Sequence, residues 1–195
     1  MNDRERLRLT RERLERRSWL AVRARRRIGE SVYLVVGDGR LVREADALVI
    51  EASAPPAEVG EGDRWIDVDL TQQVLVAYEW KQARYVSLVS TGRSRTPSPE
   101  LSYLTPKGLH RIRGKHLMYF RGAYAFHSAF WHDRFGRPRS HGCINLAPRD
   151  AKWLYNWAGP DLPETWHGGS ATEDNPGTWV YVRGETPGRG RRPVP

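Results

Sequence analysis

The chain has 195 residues, 39% of them hydrophobic, a formal net charge of +9 and a single cysteine. That length holds one domain of ordinary size plus appendages. One cysteine excludes an intrachain disulfide framework, and no run approaches the ~18 apolar residues of a membrane-spanning helix.

Residues 1–27 hold eleven arginines against four acids, so most of the excess charge sits in an N-terminal arm and little of it elsewhere. Residues 3–27 read as a helix, with Leu7, Leu14 and Leu20 among the arginines. The apolar stripe is thin, so residues 1–29 are expected to form a basic, helical or partly disordered arm. Such an arm could bind an acidic polymer, but no groove-reading motif appears and no nucleic-acid partner is expected. No secretory leader is visible at its start.

Residues 32–36 and 48–52 read as strands, with a Gly37-Asp38-Gly39 turn after the first. Residues 30–62 are therefore expected to be a small β appendage, and they carry no evident chemistry. Residues 65–70, 73–78 and 84–90 alternate or run apolar and predict a meander. Three short strands are expected at 109–113, 117–120 and 124–127. Residues 148–157 predict the one helix of the core. Pro148 suits its first turn, Ala147 is a poor cap, and Ala151, Leu154, Tyr155 and Ala158 share a face. Residues 179–182 predict a last strand. Residues 184–195, rich in Gly, Pro and Arg, predict a disordered tail. The main domain, residues 63–183, is thus expected to be mainly β with one short helix.

Chemistry concentrates in Ser140-His141-Gly142-Cys143-Ile144-Asn145, with His127 and His132 upstream. A thiol with an ordinary pKa of about 8.5 becomes a useful nucleophile when a neighbouring group lowers it, and a cysteine with a base histidine suffices for covalent acyl transfer. His141 lies two residues before Cys143 and would share its face in an extended segment, though a turn at Gly142 would break that. His127 can reach the thiol only through the fold. Other readings stay open on the residues alone. Cys143 could be a small buried hydrophobe. His127, His132, His141 and Cys143 could be metal ligands, although the paired spacing of zinc sites is missing.

The hexapeptide, the upstream His127 and the twelve residues between them resemble the L,D-transpeptidase catalytic domain, the YkuD family. The similarity extends to residues 131–138, to the helix at 148–155, to an opening hairpin from Ile66 to Gly92, and to Thr105-Pro106-Lys107-Gly108. Three departures are visible: a slightly short spacer, Ser128 where glycine commonly follows the histidine, and a short run from Gly108 to His127 that trims a loop near the substrate cleft.

The resemblance implies an L,D-transpeptidase-like β-sandwich or barrel and a thiol acyltransferase that needs no cofactor and no metal. It implies Cys143 as nucleophile, His127 as its base, and His141 lining the site, with a backbone carbonyl near Ser128 orienting His127. A tetrahedral intermediate needs fixed N–H donors, for which the amides of Gly142 and Cys143 are expected. Ser140 and Asn145 are expected to hold the loop, Asn145 through its side-chain amide. Ser128, Trp131, Tyr124, Arg137 and Arg139, with Arg134, are candidates for substrate contact, the arginines as a clamp for stem carboxylates. His132 is expected to be a cleft-edge or structural residue.

The implied partner is a peptidoglycan stem peptide, joined to a second stem by a 3→3 link, and the implied place is the periplasm or cell wall. Water in place of the acceptor amine would make the same site an L,D-carboxypeptidase. A non-catalytic wall-binding module is the remaining alternative.

Overall fold

The computed structural model describes residues 14–15, 18–37, 39–93, 103–115 and 117–188. The chain divides into two compact units, residues 1–49 and 50–195.

The first unit is an antiparallel meander of β1 (Val22–Ile28), β2 (Ser31–Val36) and β3 (Arg40–Arg43), ordered β1-β2-β3, followed by a short 3-10 turn at Glu44–Asp46. Strand β1 occupies residues that the arginine-rich pattern assigns to a helix. The reason is tertiary. β2 buries Leu34 and Val36, and β1 pairs along it with Arg25 opposite Leu34 and Arg27 opposite Val32. Cross-strand pairing overrides the weak helix preference of an isolated arm. The earlier part of the expected helix, residues 3–13, and residues 16–17 lie outside the described residues. The second strand expected in this region, 48–52, is irregular. Nearby, the Ser53 N–H donates to Tyr78 Oη at 3.0 Å rather than to a strand partner.

The second unit holds two sheets and, among its described residues, one α-helix. Its strands are β4 (Arg64–Asp69), β5 (Val74–Glu79), β6 (Gln82–Leu88), β7 (Gly108–Arg111), β8 (Met118–Arg121), β9 (Tyr124–Ser128) and β10 (Ile144–Leu146). Helix α1 (Pro148–Trp157) and strand β11 (Trp179–Arg183) complete it. The larger sheet runs β6-β5-β4-β11-β7 and the smaller β10-β9-β8. The domain is mainly β, as the alternating pattern predicts.

The core lies between these elements. Ile66, Val68, Leu75, Ala77, Val180 and Val182 of the larger sheet meet Phe126, Ile144 and Leu146 of the smaller, with Ala151, Leu154 and Ala158 from the helical segment. Burial of such side chains contributes about 25 cal/mol per Å² of apolar surface. Helix α1 starts at Pro148 with no side-chain cap at Ala147. Its Asp150, in the first turn where a negative charge is favoured, instead accepts from Tyr85 Oη at 2.8 Å and Ser87 Oγ at 2.6 Å, tying the helix to β6. Beyond β11, Glu185 N–H donates to Thr71 Oγ1 at 2.9 Å. Most of the expected disordered tail, residues 189–195, lies outside the described residues.

Candidate active site

Strand β10 was not legible as a strand, and it is the element that builds the site. It pairs in parallel with β9, setting Ile144 beside Phe126 and Asn145 beside His127. Side chains alternate along a strand. Phe126, Ile144 and Leu146 go to the core, and the opposite parity brings His127 toward the segment that carries Cys143. His127 is the neighbour that most perturbs the Cys143 thiol, and the thiol is the neighbour that most perturbs the imidazole. Nδ1 of His127 lies 3.0 Å from the Ser128 carbonyl oxygen. A carbonyl can only accept, so Nδ1 carries a proton and, in the neutral ring, Nε2 is the nitrogen without one.

The contact shifts both groups toward an ion pair. The hydrogen bond from His127 holds the Cys143 thiol below its ordinary pKa, burial opposes this, and the Ala125 amide helps. The same bond lifts His127 above the usual imidazole range, again against burial, with the Ser128 carbonyl adding to the rise. The thiol sulfur also lies 3.8 Å from the Ala123 carbonyl oxygen.

The loop before Cys143 is held from three sides. Gly142 has φ of +116°, and a Cβ there would sit 2.2 Å from Tyr124 Cε1. This is a position that requires glycine. Thr105 Oγ1 donates to the Gly142 carbonyl at 2.8 Å and accepts from the Gly92 N–H at 2.8 Å, both bonds buried. Ser140 Oγ accepts from the Gly142 N–H at 3.0 Å and donates to the Cys143 carbonyl. The Gly142 amide is therefore engaged by Ser140, which corrects the expectation that it serves an oxyanion.

Asn145 also differs from expectation. Its backbone exchanges two 2.9 Å hydrogen bonds with Ser90, while its buried side-chain Oδ1 has no partner. Its backbone, not its side-chain oxygen, ties the segment down.

The other candidates scatter around the pair. His141 is exposed, its ring edge-on to Tyr103 at 4.3 Å. Trp131 is 57% exposed, its ring 5.9 Å from that of His127. Ser128 contributes its carbonyl, and Tyr124 the ring that covers Gly142. Arg134, Arg137 and Arg139 are exposed, and the contacts of Arg134 and Arg139 with the Ser90–Thr91 strand end run through their backbones. His132 packs against Phe135 with ring centroids 4.8 Å apart, and burial pushes its pKa down. Among the described residues, no group of three or more His, Cys, Asp or Glu side chains is placed to hold a metal ion.

The YkuD family, described as the L,D-transpeptidase catalytic domain, matches residues 63–182. The chain belongs to this family. The YkuD match covers both sheets of the second unit and every residue of the Cys143 loop. Among curated proteins, YciB of Bacillus subtilis (strain 168), assigned by name to the L,D-transpeptidases, is 26% identical over 127 residues, 51% of this chain and 61% of YciB. An L,D-transpeptidase structure from Stackebrandtia nassauensis superposes with a TM-score of 0.50 at 23% identity, covering 67% of this chain and 60% of that one. One from Xylanimonas cellulosilytica gives 0.46 at 22%, covering 66% and 63%. The chain thus spans about three fifths of the length of these YkuD relatives.

Two contributors to this YkuD site had no assigned role from sequence. Thr105 was visible within a Thr-Pro-x-Gly turn, but its latch on Gly142 spans 37 positions of chain. Tyr103, against His141, had no signal at all.

Proposed function

We propose that the protein is a cysteine-dependent L,D-transpeptidase that joins peptidoglycan stem peptides by 3→3 links. The observation that carries this is the His127–Cys143 contact, with the thiol shifted down and the imidazole up. The pair is disposed toward thiolate and imidazolium, the state a thiol nucleophile needs. Membership of the YkuD family supplies the substrate class.

In this reading the Cys143 thiolate attacks the carbonyl that follows the L-centre of meso-diaminopimelate in a tetrapeptide stem. The Cys143 amide donates to the developing oxyanion, where a fixed donor is worth most. The C–N bond breaks, and D-alanine leaves with the proton from His127. The amine of a second stem then attacks the thioester, His127 takes up its proton, and the thiolate is released. The Ser128 carbonyl keeps the Nδ1 proton in place throughout, so that Nε2 does the exchange. His141, Trp131 and the exposed arginines are the groups on hand to meet the stem. Such chemistry belongs in the periplasm or cell wall, where the substrate lies.

Incubation with a carbapenem, followed by intact mass measurement, tests the reading. Wild type should gain one adduct on Cys143 and Cys143→Ala none. An inert wild-type thiol would overturn the proposal in favour of a binding module. Product analysis with stem peptides separates amine from water as acceptor.

A further inference from the structure

We propose that the N-terminal unit docks the protein on an anionic phospholipid surface. Strand β1 carries Arg23, Arg25, Arg26 and Arg27, and all its residues but the last are exposed. It is an edge strand, paired on one side only by β2. Arg25 bonds Glu44 at 2.8 Å. Among the described residues, Arg23 and Arg27 have no ion-pair partner. Directly before and at the start of this strand, three apolar side chains face solvent: Trp19 is 46% exposed, Leu20 37% and Val22 42%.

Charged edge strands discourage edge-to-edge aggregation, which accounts for the arginines. It does not account for an indole and a leucine exposed beside them, since that pair makes the edge stickier. A soluble polyanion would neutralise the arginines but would leave Trp19 and Leu20 in water. A bilayer surface satisfies both features. Its anionic headgroups attract the guanidinium groups within about a Debye length. Its interfacial zone is where tryptophan settles, with the ring among acyl chains and the N–H toward water. The arrangement describes surface attachment, and no helix among the described residues is long and apolar enough to cross a membrane. The proposal stands apart from the chemistry at Cys143.

The test is co-sedimentation of the full chain with phosphatidylglycerol–phosphatidylcholine vesicles, against pure phosphatidylcholine, at about 0.1 M salt. Wild type should sediment with the anionic vesicles only. The Arg23→Gln/Arg27→Gln variant should bind roughly 25-fold more weakly, about fivefold for each arginine. The Trp19→Ser/Leu20→Ser variant should lose on the order of tenfold. Unchanged melting and unchanged Cys143 alkylation show that each variant is folded. A salt titration of wild type gives a decision free of substitutions. Charge attraction should weaken with salt, while insertion of Trp19 and Leu20 leaves a salt-resistant remainder. Absence of wild-type binding to anionic vesicles would overturn the proposal. So would wild-type-like binding by the Trp19/Leu20 variant together with full competition by inorganic polyphosphate, which would mark a site for soluble polyanions instead.

Discussion

Gly142→Ala is the most informative single perturbation of the cysteine loop. The added Cβ would lie 2.2 Å from Tyr124 Cε1 and 2.7 Å from Cδ1, at a φ of +116°. Carbon atoms rest at about 3.5–4.0 Å, so the ring or the loop must move. The backbone conformation costs an alanine about 1–3 kcal/mol, and the forced shift costs about 1–3 kcal/mol more. For a domain of this size that sum lowers the melting temperature by roughly 4–24 °C. A displaced loop also separates Cys143 from His127, so carbapenem acylation should slow in parallel. Both are read on the same samples, by calorimetry and by intact mass against time. A double-mutant cycle with Tyr124→Ala isolates the clash. Removing the ring should cost less in the Gly142→Ala background than in wild type, with a coupling of about 1 kcal/mol or more. A Gly142→Ala protein that melts and acylates like wild type would refute the reasoning, and strict additivity in the cycle would show that Tyr124 is not what glycine accommodates.

Thr105→Val keeps the shape of the side chain but removes the latch. It leaves the Gly92 N–H and the Gly142 carbonyl without that partner, at about 1–3 kcal/mol for each buried group left unpaired; chemical denaturation should register a loss of that order, and undiminished stability would contradict it. His127→Ala should slow acylation by about 10²–10⁴-fold, while His132→Ala, against Phe135 and away from the thiol contact, should slow it far less; equal losses in single-turnover assays would mean that the wrong base has been named. Iodoacetamide alkylation of Cys143 reports the thiolate, so its rate should rise with pH through a midpoint below the ordinary ~8.5. In His127→Ala the stabilising bond is gone and burial is left, so that midpoint should move up; a midpoint unmoved by the substitution would show that His127 does not hold the thiol down.

Much of the fold is legible where apolar residues alternate or run together. Such patterns along β4 and β5, both buried on two faces, and the Pro148 start of α1 mark those elements nearly to the residue. The failures have physical causes. Residues of β1 give no strand alternation, only arginines with a thin apolar stripe, and the strand exists through its hairpin pairing with β2 two residues further on. β10 is three residues long, too short for any period to register, and it exists through its parallel pairing with β9. At the site, the residue types marked Cys143 and its neighbouring histidines, while His127 as the base and a carbonyl near Ser128 came only from the family resemblance. The contacts of Thr105 and Tyr103 and the engagement of the Gly142 amide by Ser140 depend on loops folding together, which no local pattern encodes. The same holds for Asn145. A polar side chain in that place suggests a hydrogen-bonding pin, yet the ladder with Ser90 is made by its backbone.

The central claim is that Cys143, poised by His127, transfers an acyl group between stem peptides. Its most direct test is incubation of the full chain with disaccharide–tetrapeptide, with products and protein followed together by mass spectrometry. The account predicts release of D-alanine, a transient acyl adduct on Cys143 and a cross-linked dimer whose stems are joined 3→3, with none of the three formed by Cys143→Ala. D-alanine release or dimer formation by the Cys143→Ala protein at the wild-type rate, or a wild-type protein that leaves the tetrapeptide untouched, would contradict it.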